Sequence, residues 1–150
     1  MTRTSAFQVD QTRTIISALI HGRRVNAMDV AWLRREVFAD GEVSRAAAEE
    51  LFAVARADIP KCPEWTAFFV EMVCEHAIWQ FRPTGVVNEA QAEWLIAEAD
   101  NCANVDALAV LVNVLAEAHR APLWFLAAVR ARAAQGWPGV SEALALAAAE

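Results

Sequence analysis

Four dipeptides of one kind, a valine followed by a small polar residue, punctuate this 150-residue chain: Val25-Asn26, Val43-Ser44, Val87-Asn88 and Val105-Asp106. Asn, Ser and Asp side chains accept hydrogen bonds from the unpaired amides of a helix's first turn, and an apolar residue just ahead packs back on that turn. Each dipeptide therefore predicts a helix start. The starts are 18 residues apart in each half, and the halves are offset by 62. Trp32-Leu33 and Trp94-Leu95 keep the same register. The expected fold is all-α, a compact bundle of about seven to eight helices in which a helix–turn–helix–turn–helix unit is duplicated.

Turn residues fit this division. Gly41 and Gly85 stand where a left-handed residue closes a helix, and Pro83 cannot continue the helix before it. Residues 58–63 carry Pro60 and Pro63 and form the expected link between repeat units at about 1–60 and 63–120. In the remaining residues, 121–150, Pro122 opens a helix reaching to about Ala134, and Ser141 caps a last one. A hydrophobic content of 57% in 150 residues suits a single domain with one core.

Helical spacing assigns the buried faces. On residues 44–57, Ala47, Ala48, Leu51, Phe52, Val54 and Ala55 share one arc opposite Arg45, Glu49 and Arg56, as in a helix packed on one side. On residues 64–81 the charges Glu64, Glu71, Glu75 and Arg82 make one narrow stripe, and on residues 106–119 Asp106, Asn113 and Glu117 make the only polar line. These two helices are expected at the centre.

The mean hydropathy is positive, +0.24, and residues 105–129 are very apolar. Glu117, His119, Arg120 and Pro122 interrupt them, however, leaving runs far short of the roughly 20 residues a bilayer span needs. No membrane span and no secretory signal is read, which implies a cytoplasmic protein. Cys62, Cys74 and Cys102 are an odd number without close pairing and read as reduced thiols.

Charge divides unevenly. Residues 1–61 hold nine Lys/Arg against eight Asp/Glu, residues 62–119 one against nine, and residues 120–150 three against two. An acidic middle repels phosphate backbones, and with a pI near 5.1 it argues against nucleic acid. Such a surface suits cations or an arginine-rich partner, and Arg23, Arg24, Arg34 and Arg35 form the one dense basic group that can meet it.

The turn Ala39-Asp40-Gly41-Glu42-Val43-Ser44 looks like the second half of an EF-hand loop, but the closing carboxylate would fall on Ala47 and earlier ligands on Glu36 and Phe38. Asp40 and Gly41 then shape an interhelical turn. Glu71, Cys74, Glu75 and His76 lack the Glu-x-x-His spacing of a dinuclear carboxylate site. His76 falls on the face of Phe69, Met72 and Gln80 and reads as a core imidazole, while Glu71 and Glu75 look to solvent or to an arginine of the first half. No glycine-rich phosphate loop or presented nucleophile occurs.

An Ala-Asp-Gly-x-Val-Ser turn leading into an Ala/Glu/Leu helix, with a second such unit downstream, resembles the TerB-like tellurite-resistance family. The resemblance covers mainly residues 28–57 and more loosely 70–118. It implies an all-helical, internally duplicated fold associated with metal binding and stress-response assemblies. Asp40, with Glu75 or Asp106, stands at the acidic positions carried over, although Cys102-Ala103 replaces the second Asp-Gly turn. The leading expectation is a non-enzymatic helical module that binds a partner protein or itself through acidic and Trp-bearing surfaces, with Trp94 and Trp137 as anchors and no resident cofactor. The alternative is a divalent-cation binder using Asp40, Glu75 and Asp106.

Overall fold

The computed structural model describes residue 22 and residues 24–140. Among them are six helices: α1 (Ala27–Trp32), running on into a wider π-turn (Leu33–Val37); α2 (Arg45–Arg56); α3 (Pro63–Cys74), continued by a second π-turn (Glu75–Trp79); α4 (Glu89–Cys102); α5 (Val105–Glu117); and α6 (Leu123–Ala133). The helix expected after Ser141 lies outside the described residues, as does the stretch before residue 22.

Three of the four expected starts are where the dipeptides put them. Asn26 accepts from the Asp29 amide at 2.9 Å while the Asp29 carboxylate accepts from the Asn26 amide at 2.9 Å, so two orphan donors of the first turn are satisfied at once. Ser44 Oγ accepts from the Ala47 amide at 3.1 Å and Asn88 Oδ1 from the Gln91 amide at 2.8 Å. Val25, Val43 and Val87, one residue ahead of each cap, are buried.

The fourth start is two residues earlier than Val105-Asp106 suggests. Ala103 ends α4 in the left-handed conformation, φ 49° and ψ 50°. The link to α5 is thereby so short that Asn104, not Asp106, is the first side chain able to reach back, and it accepts from the Ala107 amide at 3.1 Å. Val105 is already helical and Asp106 lies within the first turn. The cap-to-cap interval is thus 18 residues from Asn26 to Ser44 but 16 from Asn88 to Asn104. Asn104 Nδ2 also donates to the Ala55 carbonyl at 3.0 Å, in the last turn of α2. Asn104→Ala should therefore lower the unfolding free energy by about 1–2 kcal/mol, as read from urea denaturation. A loss under about 0.5 kcal/mol, the level of ordinary surface changes, would contradict this assignment.

The core is centred on α3 and α5, as their near-continuous apolar composition predicts. Helix α3 packs on α1, α2 and α5, while α5 packs on α3, α4 and α6 and touches α2. Trp65, Phe68 and Phe69 of α3 are fully buried, with Trp65 stacked on Phe69 at 5.5 Å between ring centres. Phe52 of α2 meets Phe69 edge-on at 5.0 Å and Trp94 of α4 at 5.9 Å, so three helices converge on one ring. All six residues on the apolar arc of α2 are buried.

Two isolated bridges tie the chain before a helix pair to the chain after it. Val25 pairs with Lys61 and Val86 with Arg120, both in parallel sense. In the first, the Val25 amide donates to the Pro60 carbonyl and the Cys62 amide to that of Val25, each at 2.9 Å. In the second, the Val87 amide donates to Arg120 at 2.9 Å and the His119 amide to Gly85 at 2.8 Å. Among the described residues no helix is long and apolar enough to cross a membrane.

Candidate functional site

The three acidic residues singled out from the sequence stand in separate surroundings. Asp40 lies in the turn after α1, where its Oδ1 accepts from the Glu42 amide at 3.0 Å and shapes the approach to α2. Glu75 opens the second π-turn and accepts from Gln80 Nε2 at 3.0 Å. Asp106 accepts from Thr66 Oγ1 at 2.8 Å across the α3–α5 contact. Among the described residues no group of three or more His, Cys, Asp or Glu stands close enough together to hold a metal ion.

Several side chains on the polar stripes of the two central helices are bonded to neighbouring elements. Glu71 forms an ion pair with Arg34, which also lies over the Phe68 ring, so the basic first half and the acidic middle meet inside one chain. The polar line of α5 turns toward α3. Asn113 Nδ2 contacts Cys74 Sγ at 3.2 Å and Glu117 at 3.0 Å, and Glu117 accepts from Trp79 Nε1 at 2.9 Å. Burial pushes the Cys74 thiol up to about 12, against the weaker pull of Asn113, so it is inert rather than nucleophilic. The Cys102 thiol is raised to about 11, again chiefly by burial and then by Asp106.

His76 is a core imidazole, as its helical face predicts. Its Nδ1 lies 2.8 Å from the Val43 carbonyl, which can only accept, so Nδ1 carries the proton and Nε2 the lone pair. The ring meets Phe81 at 5.1 Å and Trp94 at 5.2 Å. Arg45 lies over the other side of this cluster, its guanidinium 5.2 Å from the Trp94 ring and bonded to Gln91 Oε1 at 2.6 Å. Among the described residues His76 Nε2, Gln91 Nε2 and Trp94 Nε1 have no hydrogen-bond partner. Trp94 is therefore a half-buried wedge between α2 and α3 rather than an open anchor, and Trp137 is likewise packed on the core.

Burial first, and then the Arg45 charge, hold the His76 imidazole below its ordinary 6.5, against the opposing pull of the Val43 carbonyl. A base with a depressed folded pKa stabilises the fold fully above its unfolded pKa. That contribution is lost as pH falls from about 6.5 toward the lower folded value. Urea denaturation should accordingly give a lower unfolding free energy at about pH 5.5 than at about pH 7.5, with a smaller drop in His76→Gln. Equal drops in the two proteins would contradict the assignment.

Exposed apolar side chains gather at the start of α6, where the sequence reading placed no site. Leu123 is 95% exposed, Trp124 38% and Leu126 43%, while Phe125 and Val129 on the opposite face are buried. Four consecutive apolar residues, Leu123-Trp124-Phe125-Leu126, are the signal that points here, since a surface helix buries only one side. Helix α4 runs alongside. Trp124 Nε1 donates to Glu89 at 2.8 Å near the start of both helices, and Arg132 pairs with Asp100 at 2.9 Å near the end of both. Glu93 stands exposed between them on the same face of α4. The result is an apolar patch edged by carboxylates. No family model matches the chain, and no curated protein or solved structure proves similar to it.

Proposed function

We propose that this chain is a non-enzymatic helical module, TerB-like in outline, that binds a partner protein or another copy of itself through the surface where the first turns of α4 and α6 meet. The observation that carries this reading is the exposure of Leu123 and Leu126, with Trp124 at their edge, at the start of α6. Single exposed apolar residues are ordinary, but clustered ones mark interaction surfaces.

Two bridged segments supply an internal comparison. Each opens at a bridge, runs through two capped helices, returns to the bridge and leads into a further helix, α3 or α6. The third residues of these two helices, Trp65 and Phe125, are fully buried, and the seventh, Phe69 and Val129, are buried as well. The first and second residues are exposed in both, yet they are Pro63 and Glu64 in α3 and Leu123 and Trp124 in α6. A proline and a glutamate serve the fold at that place in one segment, so the fully exposed leucine in the other answers a different demand.

The unpaired cysteines Cys62, Cys74 and Cys102 suit a reducing, cytoplasmic setting. The acidic middle of the chain disfavours nucleic acid as the partner.

A photo-reactive residue in place of Leu126 should cross-link the partner in cells, and the complex rebuilt from pure components should weaken at least ~10-fold with L123S/L126S. A rebuilt complex whose affinity is unchanged by that pair would remove this surface from the account. On the same reading, calorimetric titration with calcium, magnesium, zinc and manganese gives no binding heat and no shift in melting temperature. Stoichiometric binding would move the function to the cation-binding alternative at Asp40, Glu75 and Asp106.

A further inference from the structure

We propose that His76 and Phe81 form an acid-sensitive latch: a second proton on the imidazole drives residues 80–85 away from the junction of α2 and α4, and uncovers Phe81 and Trp94 together. His76 is 2% exposed and lies in the π-turn that continues α3. Phe81 and Trp94 stand edge-on to its ring at 5.1 and 5.2 Å. Phe81 is the more exposed of the two, at 38%, so the way from the imidazole to water passes it.

Nothing in this cluster receives a proton from Nε2. The polar atoms left over, Gln91 Nε2 and Trp94 Nε1, only donate, and Arg45 brings a fixed positive charge. The acceptors are engaged. Nδ1 of the same ring takes the Val43 carbonyl, Arg45 takes Gln91 Oε1 at 2.6 Å, and the Val43 amide takes Gln80 Oε1 at 3.4 Å. Carboxylates on the surrounding elements have other partners. Glu75 accepts from Gln80, Glu117 of α5 accepts from Trp79 and Asn113, and Glu98 of α4 feels Glu49, Arg56 and Arg45. Arg82 adds a cation in the loop itself. An imidazolium here therefore has to reach solvent for its acceptor.

The loop is the part able to yield. Residues 80–84 are all exposed. Its ties are the Gln80 contact with Val43 and the Gly85 amide, which donates to the Ile78 carbonyl at 2.8 Å. The helices on either side are fixed by the aromatic core, so the loop can open without the fold. Burial and Arg45 hold the imidazole neutral in the closed form, whereas the open form hydrates it. The open fraction consequently rises by up to ~10-fold for each pH unit below about 6.5, until the closed form itself takes the proton. His119, whose ring lies against Trp79 and Gly85, is the other imidazole at this loop and has to be separated from His76.

The test is native-state hydrogen exchange of the full chain at about pH 7.5, 6.5 and 5.5, corrected for intrinsic exchange, for the wild type, H76Q and H119Q. The Val43 and Gly85 amides should lose protection by at least ~3-fold between the highest and lowest pH in the wild type and H119Q, and keep it in H76Q. The Phe69 and Val110 amides should stay at least ~10-fold better protected throughout. In an NMR titration of the imidazoles, F81A should move the His76 midpoint up toward the ordinary 6.5. An equal loss of protection in H76Q, or a loss abolished by H119Q, overturns the latch. Protection at Val43 and Gly85 equal to that at Phe69 and Val110 also overturns it, because only the whole fold then opens. So does a His76 midpoint unchanged in F81A. Should H76Q not fold, the wild-type exchange profile and the F81A titration decide alone.

Discussion

Replacing Phe52 with alanine lowers the unfolding free energy by about 3–5 kcal/mol, among the largest effects expected of a single truncation at the described residues. The ring is fully buried and stands at the meeting of α2, α3 and α4, edge-on to both Phe69 and Trp94. Its removal forfeits transfer energy and leaves a space where three helices meet, beside a Trp94 ring that also contacts Arg45 and His76. Domains of this kind are stable by only about 5–15 kcal/mol, so the variant should unfold at much lower urea with an unchanged slope. A loss below about 1.5 kcal/mol, the scale of a conservative core swap, would mean that the three helices do not converge on this ring.

The second large effect is expected where no helix is altered. Gly139→Ala should cost about 2–4 kcal/mol, combining a left-handed backbone with an overpacked contact. Gly139 has φ +87°, and a Cβ there would lie 2.8 Å from Val105 Cγ1 and 3.1 Å from Val105 Cβ. The segment holds the start of α5 in place, since the Val105 amide donates to the Pro138 carbonyl at 3.0 Å and Val140 is buried. Urea denaturation of a double-mutant cycle separates the two causes. Val105→Ala in the Gly139→Ala background should recover the contact part and leave the backbone part. Simple additivity of the two losses would contradict the close approach.

Much of the architecture was legible because it rests on local chemistry. Asn26, Ser44 and Asn88 cap helices since their side-chain oxygens are short enough to reach the first-turn amides, and the buried arc of α2 follows from spacing alone. The fourth cap was misread because a valine and an aspartate imitate the pattern, while a left-handed alanine, Ala103, gives no warning that a helix ends. The π-turns at Leu33–Val37 and Glu75–Trp79 leave no compositional trace, since the residues that build them are ordinary helix formers. A polar line on a helix also does not say which neighbour it faces. That of α5 bonds to Thr66, Cys74 and Trp79 while Glu117 stays exposed.

The site was less legible for the same reason, because exposure is a property of packing. Trp94 and Trp124 look equivalent as letters, but Trp94 is wedged against Phe52 and His76 while Trp124 lies at the rim with its indole nitrogen on Glu89. Acidic residues chosen from turns and helix starts proved to be engaged locally, Asp40 with the Glu42 amide and Asp106 with Thr66.

The central claim is that Leu123 and Leu126 serve association and not the fold, and the melting temperature of L123S/L126S measured beside its capacity to associate tests this most directly. The account predicts a midpoint within about 2 °C of wild type, as for surface positions, together with loss of binding. A midpoint lowered by about 8 °C or more, the mark of a core position, or full binding by the altered protein, would contradict it.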